Sequence, residues 1–149
     1  MLHILWGSQS GNARNLAHVV ADELASHEIE NTVFDMGEID PSEVFSMKNI
    51  LIVTSTYGDG EAPDNASDWH SFLKFEEDLN LSHLRYAVLG LGDTYYPHFC
   101  QCGKEFDEYL SKRGALALLP RIDCDLYYEE QYGDWLKKLI SVLKNTSAE

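Results

Sequence analysis

The sequence predicts an α/β fold, a doubly wound three-layer arrangement with a parallel sheet between helices. Three observations predict it. Short apolar runs of strand length alternate along the chain with segments in helical spacing. Ile50, Leu51, Ile52 and Val53 are apolar at every position, as in a strand covered on both faces. Three of the four apolar runs stop in loops rich in Gly, Ser, Thr and Tyr, and in such sheets ligands bind at the carboxyl ends of the strands.

The elements follow in order. Residues 2–6 form a short apolar strand that stops at Gly7. Ala13, Leu16, Ala17, Val20 and Leu24 then recur at helical spacing. Residues 32–36 read as a weaker strand near an edge, and residues 49–54 as a buried one. A helix near 64–75 precedes the strand at 86–91, and a helix near 99–112 follows it, with Gly114 placed to stop that helix. Residues 116–122 are the last strand, where Pro120 marks an edge or a bulge. A final helix carries Leu136, Leu139, Ile140 and Leu143.

The 149 residues predict a single domain over 1–149, with a core that needs no staples. No stretch approaches the length of a membrane span, and residues 1–6 are too short for a signal peptide. Cys100, Cys102 and Cys124 contain no C-x-x-C pair, so neither a disulfide framework nor a zinc site is expected, and no metal. Reduced thiols point to a cytoplasmic location. The Asn-x-Ser/Thr triplets at Asn65, Asn80 and Asn145 read as chance. The formal net charge of −14 argues against binding nucleic acid or an anionic membrane, since both would repel the chain. It favours basic-patched partners; the alternative is a generally solvated acidic surface.

Gly7-Ser8-Gln9-Ser10-Gly11-Asn12-Ala13 joins the first strand to the first helix. Hydroxyls, amides and glycines at a helix N-terminus suit a phosphate, and Gly11 allows close backbone approach. The loop holds no Lys or Arg, which favours a terminal monoester over a triphosphate. It lacks the Gly-Lys-Ser/Thr of a nucleoside triphosphatase, the G-x-G-x-x-G of a dinucleotide site and the G-x-S-x-G of a hydrolase elbow. It also lacks the acidic residues of a phosphoacceptor domain. The alternative is a helix cap by Ser8 or Ser10.

Ser55-Thr56-Tyr57-Gly58-Asp59-Gly60-Glu61 follows the third strand, and Leu91-Gly92-Asp93-Thr94-Tyr95-Tyr96-Pro97-His98-Phe99-Cys100 follows the fourth. Two loops carrying tyrosines beside glycines would clamp a planar heteroaromatic body, each stacked ring adding about 0.5–1.5 kcal/mol. A phosphate site beside an aromatic clamp implies a phosphorylated planar cofactor.

Here the chain resembles the flavodoxin family. Ser8-Gln9-Ser10-Gly11-Asn12-Ala13 is similar to its phosphate loop. Residues 55–60, followed by Pro63-Asp64-Asn65, are similar to its first flavin loop, and residues 91–100 to its second. Arg121-Ile122-Asp123-Cys124-Asp125 resembles the segment after the fifth strand in the FMN domain of sulfite reductase. The likeness spans the chain and extends to short free-standing bacterial flavodoxins of the MioC and YqcA type and to the FMN domains of diflavin reductases.

The resemblance implies a five-stranded parallel sheet in the order 2-1-3-4-5 with FMN as cofactor. It implies binding positions at Ser8, Gln9, Ser10, Gly11, Asn12 and Ala13 for the phosphate. Around the ring it implies Ser55, Thr56, Tyr57, Gly58, Asp59, Gly60, Leu91, Gly92, Asp93, Tyr95, Tyr96, His98, Phe99, Cys100 and Asp123. Tyr57 matches the inner-face residue and Tyr96 the tyrosine stacked on the outer face. Tyr95 stands where Ser or Thr is common, and Pro97 where a carboxylate is common. Gly58 matches the residue whose carbonyl turns toward flavin N5 when that atom gains a proton.

The implied function is single-electron transfer from a flavin reductase, on a separate chain with a basic patch, to acceptor enzymes. The carrier would be a monomer with no catalytic residue of its own. Alternatives are a binding or regulatory module that holds FMN weakly or structurally, and an FMN-dependent quinone reductase. His98 and the three cysteines are expected in core or loop roles. A carboxylate ~10 Å from the reduced, anionic ring opposes its charge by roughly 1.7 kcal/mol at an effective dielectric of 20, on the order of 70 mV per electron. Asp59, Asp93 and Asp123, near the ring by resemblance, would therefore lower its potential. Asp59, Glu61, Asp64 and Asp68, with Asp123, Asp125, Glu129, Glu130 and Asp134, would form an acidic rim that steers a basic partner.

Overall fold

The computed structural model describes residues 1–8, 11–56, 60–93, 98–125 and 128–147. Of the expected site residues, Gln9, Ser10, Tyr57, Gly58, Asp59, Tyr95 and Tyr96 lie outside them.

The first strand, β1 (Leu2–Gly7), leads into α1 (Asn12–Ser26), and β2 (Asn31–Asp35) returns beside β1. Two short 3₁₀ turns then lead to β3 (Asn49–Ser55), α2 (Ser67–Phe75) and β4 (Arg85–Leu91). The chain continues through α3 (Gln101–Lys112), β5 (Leu116–Ala117), β6 (Ile122–Cys124) and α4 (Tyr128–Ser147). The sheet is parallel in the order β2-β1-β3-β4-β5, with β6 also paired to β4. In register, Leu2 faces Asn31 and Asn49, and Asn49 faces Arg85.

The order agrees with expectation, but the last strand is split. Residues 116–122 do not run as one strand: Leu116 pairs with Arg85, and Ile122 pairs with Leu89 further along β4. Pro120 lies in the gap. It has no N–H for a ladder, and its carbonyl accepts from Trp135 Nε1 of α4 at 2.8 Å.

Alternation in the central strands divides the core in two. Ile4, Leu51, Val53, Ala87 and Leu89 face α1 and α4, where they meet Leu16, Val20, Leu136 and Leu139. Leu5, Ile50, Ile52, Tyr86 and Val88 face α2 and α3, where they meet Trp69, Leu73, Phe106 and Leu110. β3 is therefore apolar at successive positions because both its faces are covered. β2 is half-buried throughout and forms the edge. Gly114 ends α3 as expected: at φ +94 it adopts the left-handed conformation, and its N–H donates to Ser111 O at 3.1 Å. No helix among the described residues is long and apolar enough to cross a membrane.

Candidate functional site

Every βα crossover starts from the same edge of a parallel sheet, so the loops after β1, β3, β4 and β6 gather there. Hydrogen bonds join them. Thr56 N–H donates to Leu91 O at 3.2 Å, and Gly92 N–H donates to Cys124 O at 2.9 Å. Thr56 Oγ1 accepts from Cys102 N–H at 3.1 Å, satisfying one of the donors left open at the start of α3. Gly60, at φ +117, lies so near His98 that a Cβ there would come within 3.0 Å of the histidine Cβ. The two loops expected separately thus form one wall, made from Ser55, Thr56 and Gly60 on one side and Leu91, Gly92, Asp93, His98, Phe99 and Cys100 on the other.

The described ends of the second loop lie close together. Cys100 has φ 54, and a Cβ on Gly92 would sit 2.9 Å from its backbone N. Cys100 is fully buried, with its thiol 3.5 Å from Cys124 O, and Leu91 is also buried. These two can offer a ligand their backbone, while His98 is exposed and Phe99 half-buried. Lys104 Nζ lies 5.8 Å from the Phe99 ring centroid.

At the start of α1, Gly11 has φ +91, and nothing lies within 4 Å of where its Cβ would be. Ser8 Oγ accepts from Gly11 N–H at 2.8 Å. That bond ends at the residue before the helix, so Ser8 organises the loop and does not cap the first turn. None of the described side chains caps this turn, and it carries no acidic residue. The first-turn N–H groups, Asn12 and Ala13 among them, meet no acceptor among the described side chains and suit an incoming one. Arg14 lies over the Trp6 ring, 5.8 Å from its centroid.

Two further residues at this edge fall within the motifs but were not expected in the site. The Asn65 side chain joins Ser8, Trp6 and Asp35 through three hydrogen bonds. Arg121 donates to Asp107 Oδ2 at 2.8 Å and to Asp123 Oδ1 at 3.1 Å. Asp107 also accepts from the Tyr86 hydroxyl, whose pKa is raised by burial and by that carboxylate. Asp123, paired in register with Gly90, is therefore not the bare negative charge expected from the sequence. A readable signal existed, since Arg121 stands only two residues before Asp123, within reach of its carboxylate.

Burial pushes the Cys100 and Cys102 thiols up to about 12 and Cys124 to about 11, with the Asp123 carboxylate adding to the first and last. They stay protonated at neutral pH, unlike a nucleophilic thiolate. Among the described residues no cluster of three or more His, Cys, Asp or Glu could hold a metal.

The donor set fits FMN. A helix start that no described side chain caps, beside a Ser/Gly/Asn loop without acidic residues, suits a terminal phosphate, and the joined loops beside it offer a wall for a flat body. Residues 4–140 match the flavodoxin family model. The chain is 43% identical over 140 residues to the NADPH sulfite reductase flavoprotein alpha-component of Bacillus subtilis, covering 94% of this chain and 23% of that protein. It is 41% identical over 145 residues to the Vibrio parahaemolyticus counterpart, covering 97% and 23%. The chain thus spans about a quarter of the length of these curated relatives. Among solved structures, a Streptococcus flavodoxin superposes with a TM-score of 0.81 at 31% identity, covering 99% of this chain and 97% of the other. A cysteine-to-alanine mutant of flavodoxin from Pseudomonas aeruginosa gives 0.83 at 28%, covering 96% and 98%.

Proposed function

The chain belongs to the flavodoxin family, and from that premise we propose that it takes electrons singly from a flavin reductase presenting a basic surface and delivers them to acceptor redox enzymes. Its cofactor is FMN and its role electron transfer. Bound FMN supplies the redox chemistry, gaining and losing electrons one at a time.

The observation that carries the reading is the start of α1, which no described side chain caps and which carries no acidic residue, beside the wall where Gly60 meets His98. In the proposal, the N–H groups of Asn12 and Ala13 and the Ser8 hydroxyl hold the phosphate. Residues 55–60 and 91–100 hold the ring, and Arg121 keeps Asp123 compensated beneath it. Glu61, Asp64, Asp68, Glu130 and Asp134 are exposed near the carboxyl edge. Their field would draw a basic partner toward that edge and speed encounter at low salt. The relatives named as NADPH sulfite reductase flavoproteins favour a reductase that draws on NADPH.

The test is stopped-flow reduction of the FMN-loaded protein by a flavin reductase across an ionic-strength series. The rate is expected to fall steeply as salt rises; a rate insensitive to salt removes the basic-partner proposal. FMN titration of the protein alone checks the cofactor separately.

A further inference from the structure

We infer that Asn65 is a positioning residue for the phosphate loop and sets how strongly the protein prefers FMN to flavins without a phosphate; the inference rests on the FMN reading. Asn65 does not belong to that loop. It sits 57 residues further along, in the 3₁₀ turn that precedes α2. Its Oδ1 accepts from Ser8 N–H at 2.9 Å. Its Nδ2 donates to Trp6 O at 3.1 Å and to Asp35 Oδ1 at 3.0 Å. One amide thus ties the last residues of β1, the first residue of the loop and the end of the edge strand β2. Asp35 is itself anchored, accepting from Gly37 N–H at 2.7 Å.

The chemistry selects asparagine. The position needs one acceptor and two donors on a short side chain, and a primary amide supplies all three. Aspartate has no donor and would set a second carboxylate against Asp35. Two glycines clear the space. A Cβ on Gly37 would come within 3.2 Å of the Asn65 Cβ, and one on Gly7 within 2.7 Å of the Ala66 Cβ. Engagement of this amide by three partners also makes the Asn65 triplet a poor glycosylation acceptor.

The consequence runs through Ser8. With its N–H held by Asn65 and its Oγ receiving Gly11 N–H, Ser8 is fixed at both backbone and side chain, and with it the entry to α1. Donors held in place lose less freedom when the phosphate arrives. The flavin ring does not depend on this bond, so loss of Asn65 should be felt by the phosphate alone.

Kd for FMN and for riboflavin, measured by flavin fluorescence quenching on the whole chain, tests this. Asn65→Ala should raise the FMN Kd about 10- to 100-fold, since a hydrogen-bonded, half-buried donor and acceptor lose their partner. Riboflavin Kd should change less than about threefold. Should Asn65→Ala fail to fold, Asp35→Ala removes one anchor of the same amide and should weaken FMN alone by about three- to tenfold. An equal loss for both flavins in the folded variant, or no change in their ratio, overturns the positioning role and leaves the FMN reading standing. A wild-type protein that binds neither flavin overturns both.

Discussion

The two ends of the proposed site are scaffolded by different chemistry. At the phosphate end, the Asn65 amide and the Ser8 hydroxyl brace the loop. At the ring end, beneath β4 and β6, the Arg121 guanidinium is shared by Asp107 and Asp123. A brace built on an amide suits a dianionic phosphate, because it places dipoles at the loop and holds its one carboxylate, Asp35, on the far side of the Asn65 amide in hydrogen bonds to Asn65 Nδ2 and Gly37 N–H. A charged brace suits a group whose charge changes on reduction, because moving or removing one charge alters the potential. The phosphate end should therefore control affinity for the phosphorylated ligand, and the ring end its redox behaviour.

The largest way to break this comparison is Gly7→Ala. The new Cβ would come 2.7 Å from Ala66 Cβ and 3.1 Å from Thr54 Oγ1, displacing the turn that carries Asn65. Overpacking of this kind costs about 1–3 kcal/mol of stability. FMN affinity should fall at least tenfold more than riboflavin affinity, as paired titrations and thermal melts would show. Gly92→Ala is the matching change at the ring end, with the new Cβ 2.9 Å from Cys100 N and 3.1 Å from its thiol. Its stability cost should be similar, about 1–3 kcal/mol, but FMN and riboflavin should weaken together. If both glycine variants give the same flavin ratio, the two ends are not separable.

Arg121→Met sharpens the charged side of the comparison. Arg121, Asp107 and Asp123 are 31%, 24% and 23% exposed, so solvent screens the pairs and the stability loss should stay near about 1–2 kcal/mol. The potential of bound FMN should fall by tens of millivolts as Asp123 loses its counterion. Spectroelectrochemical titration would show it, while the ratio of FMN to riboflavin affinity holds.

The smallest expected effect lies at the opposite edge of the sheet. Burial lowers the His3 pKa below 6.5, outweighing a backbone hydrogen bond to Asn49. The unfolded chain then binds more protons than the folded one as pH falls through that value, so His3 contributes instability on the acid side that disappears as pH rises. His3→Gln should flatten the decline in stability between pH 7 and 5 only slightly, since the ring is only partly buried. Denaturant melts across that range would show it, with neither end of the site affected.

Much of the fold was legible because local pattern and burial agree. Residues 50–53 read as a doubly covered strand, residues 32–36 as an edge, and Gly114 as a helix stop, each from properties within a few residues. The loops were legible because helix starts and strand ends leave backbone groups that only certain residue types can serve. What the pattern could not carry were partnerships across the chain. Asn65 looks like an ordinary turn residue until β1 and β2 end beside it, its partners lying 30 to 59 positions away. The split at Pro120 depends on Trp135 of α4 claiming its carbonyl. That Arg121 also serves Asp107 of α3, 14 positions away, was equally out of reach of the local pattern.

Photoreduction of the FMN-loaded protein, followed by absorbance, asks whether the chain carries electrons one at a time. One FMN should bind per chain, and a one-electron-reduced flavin spectrum should accumulate before full reduction. A chain that leaves added FMN unbound, or whose bound FMN passes from oxidised to fully reduced with no one-electron form at any stage, would contradict one-electron transfer.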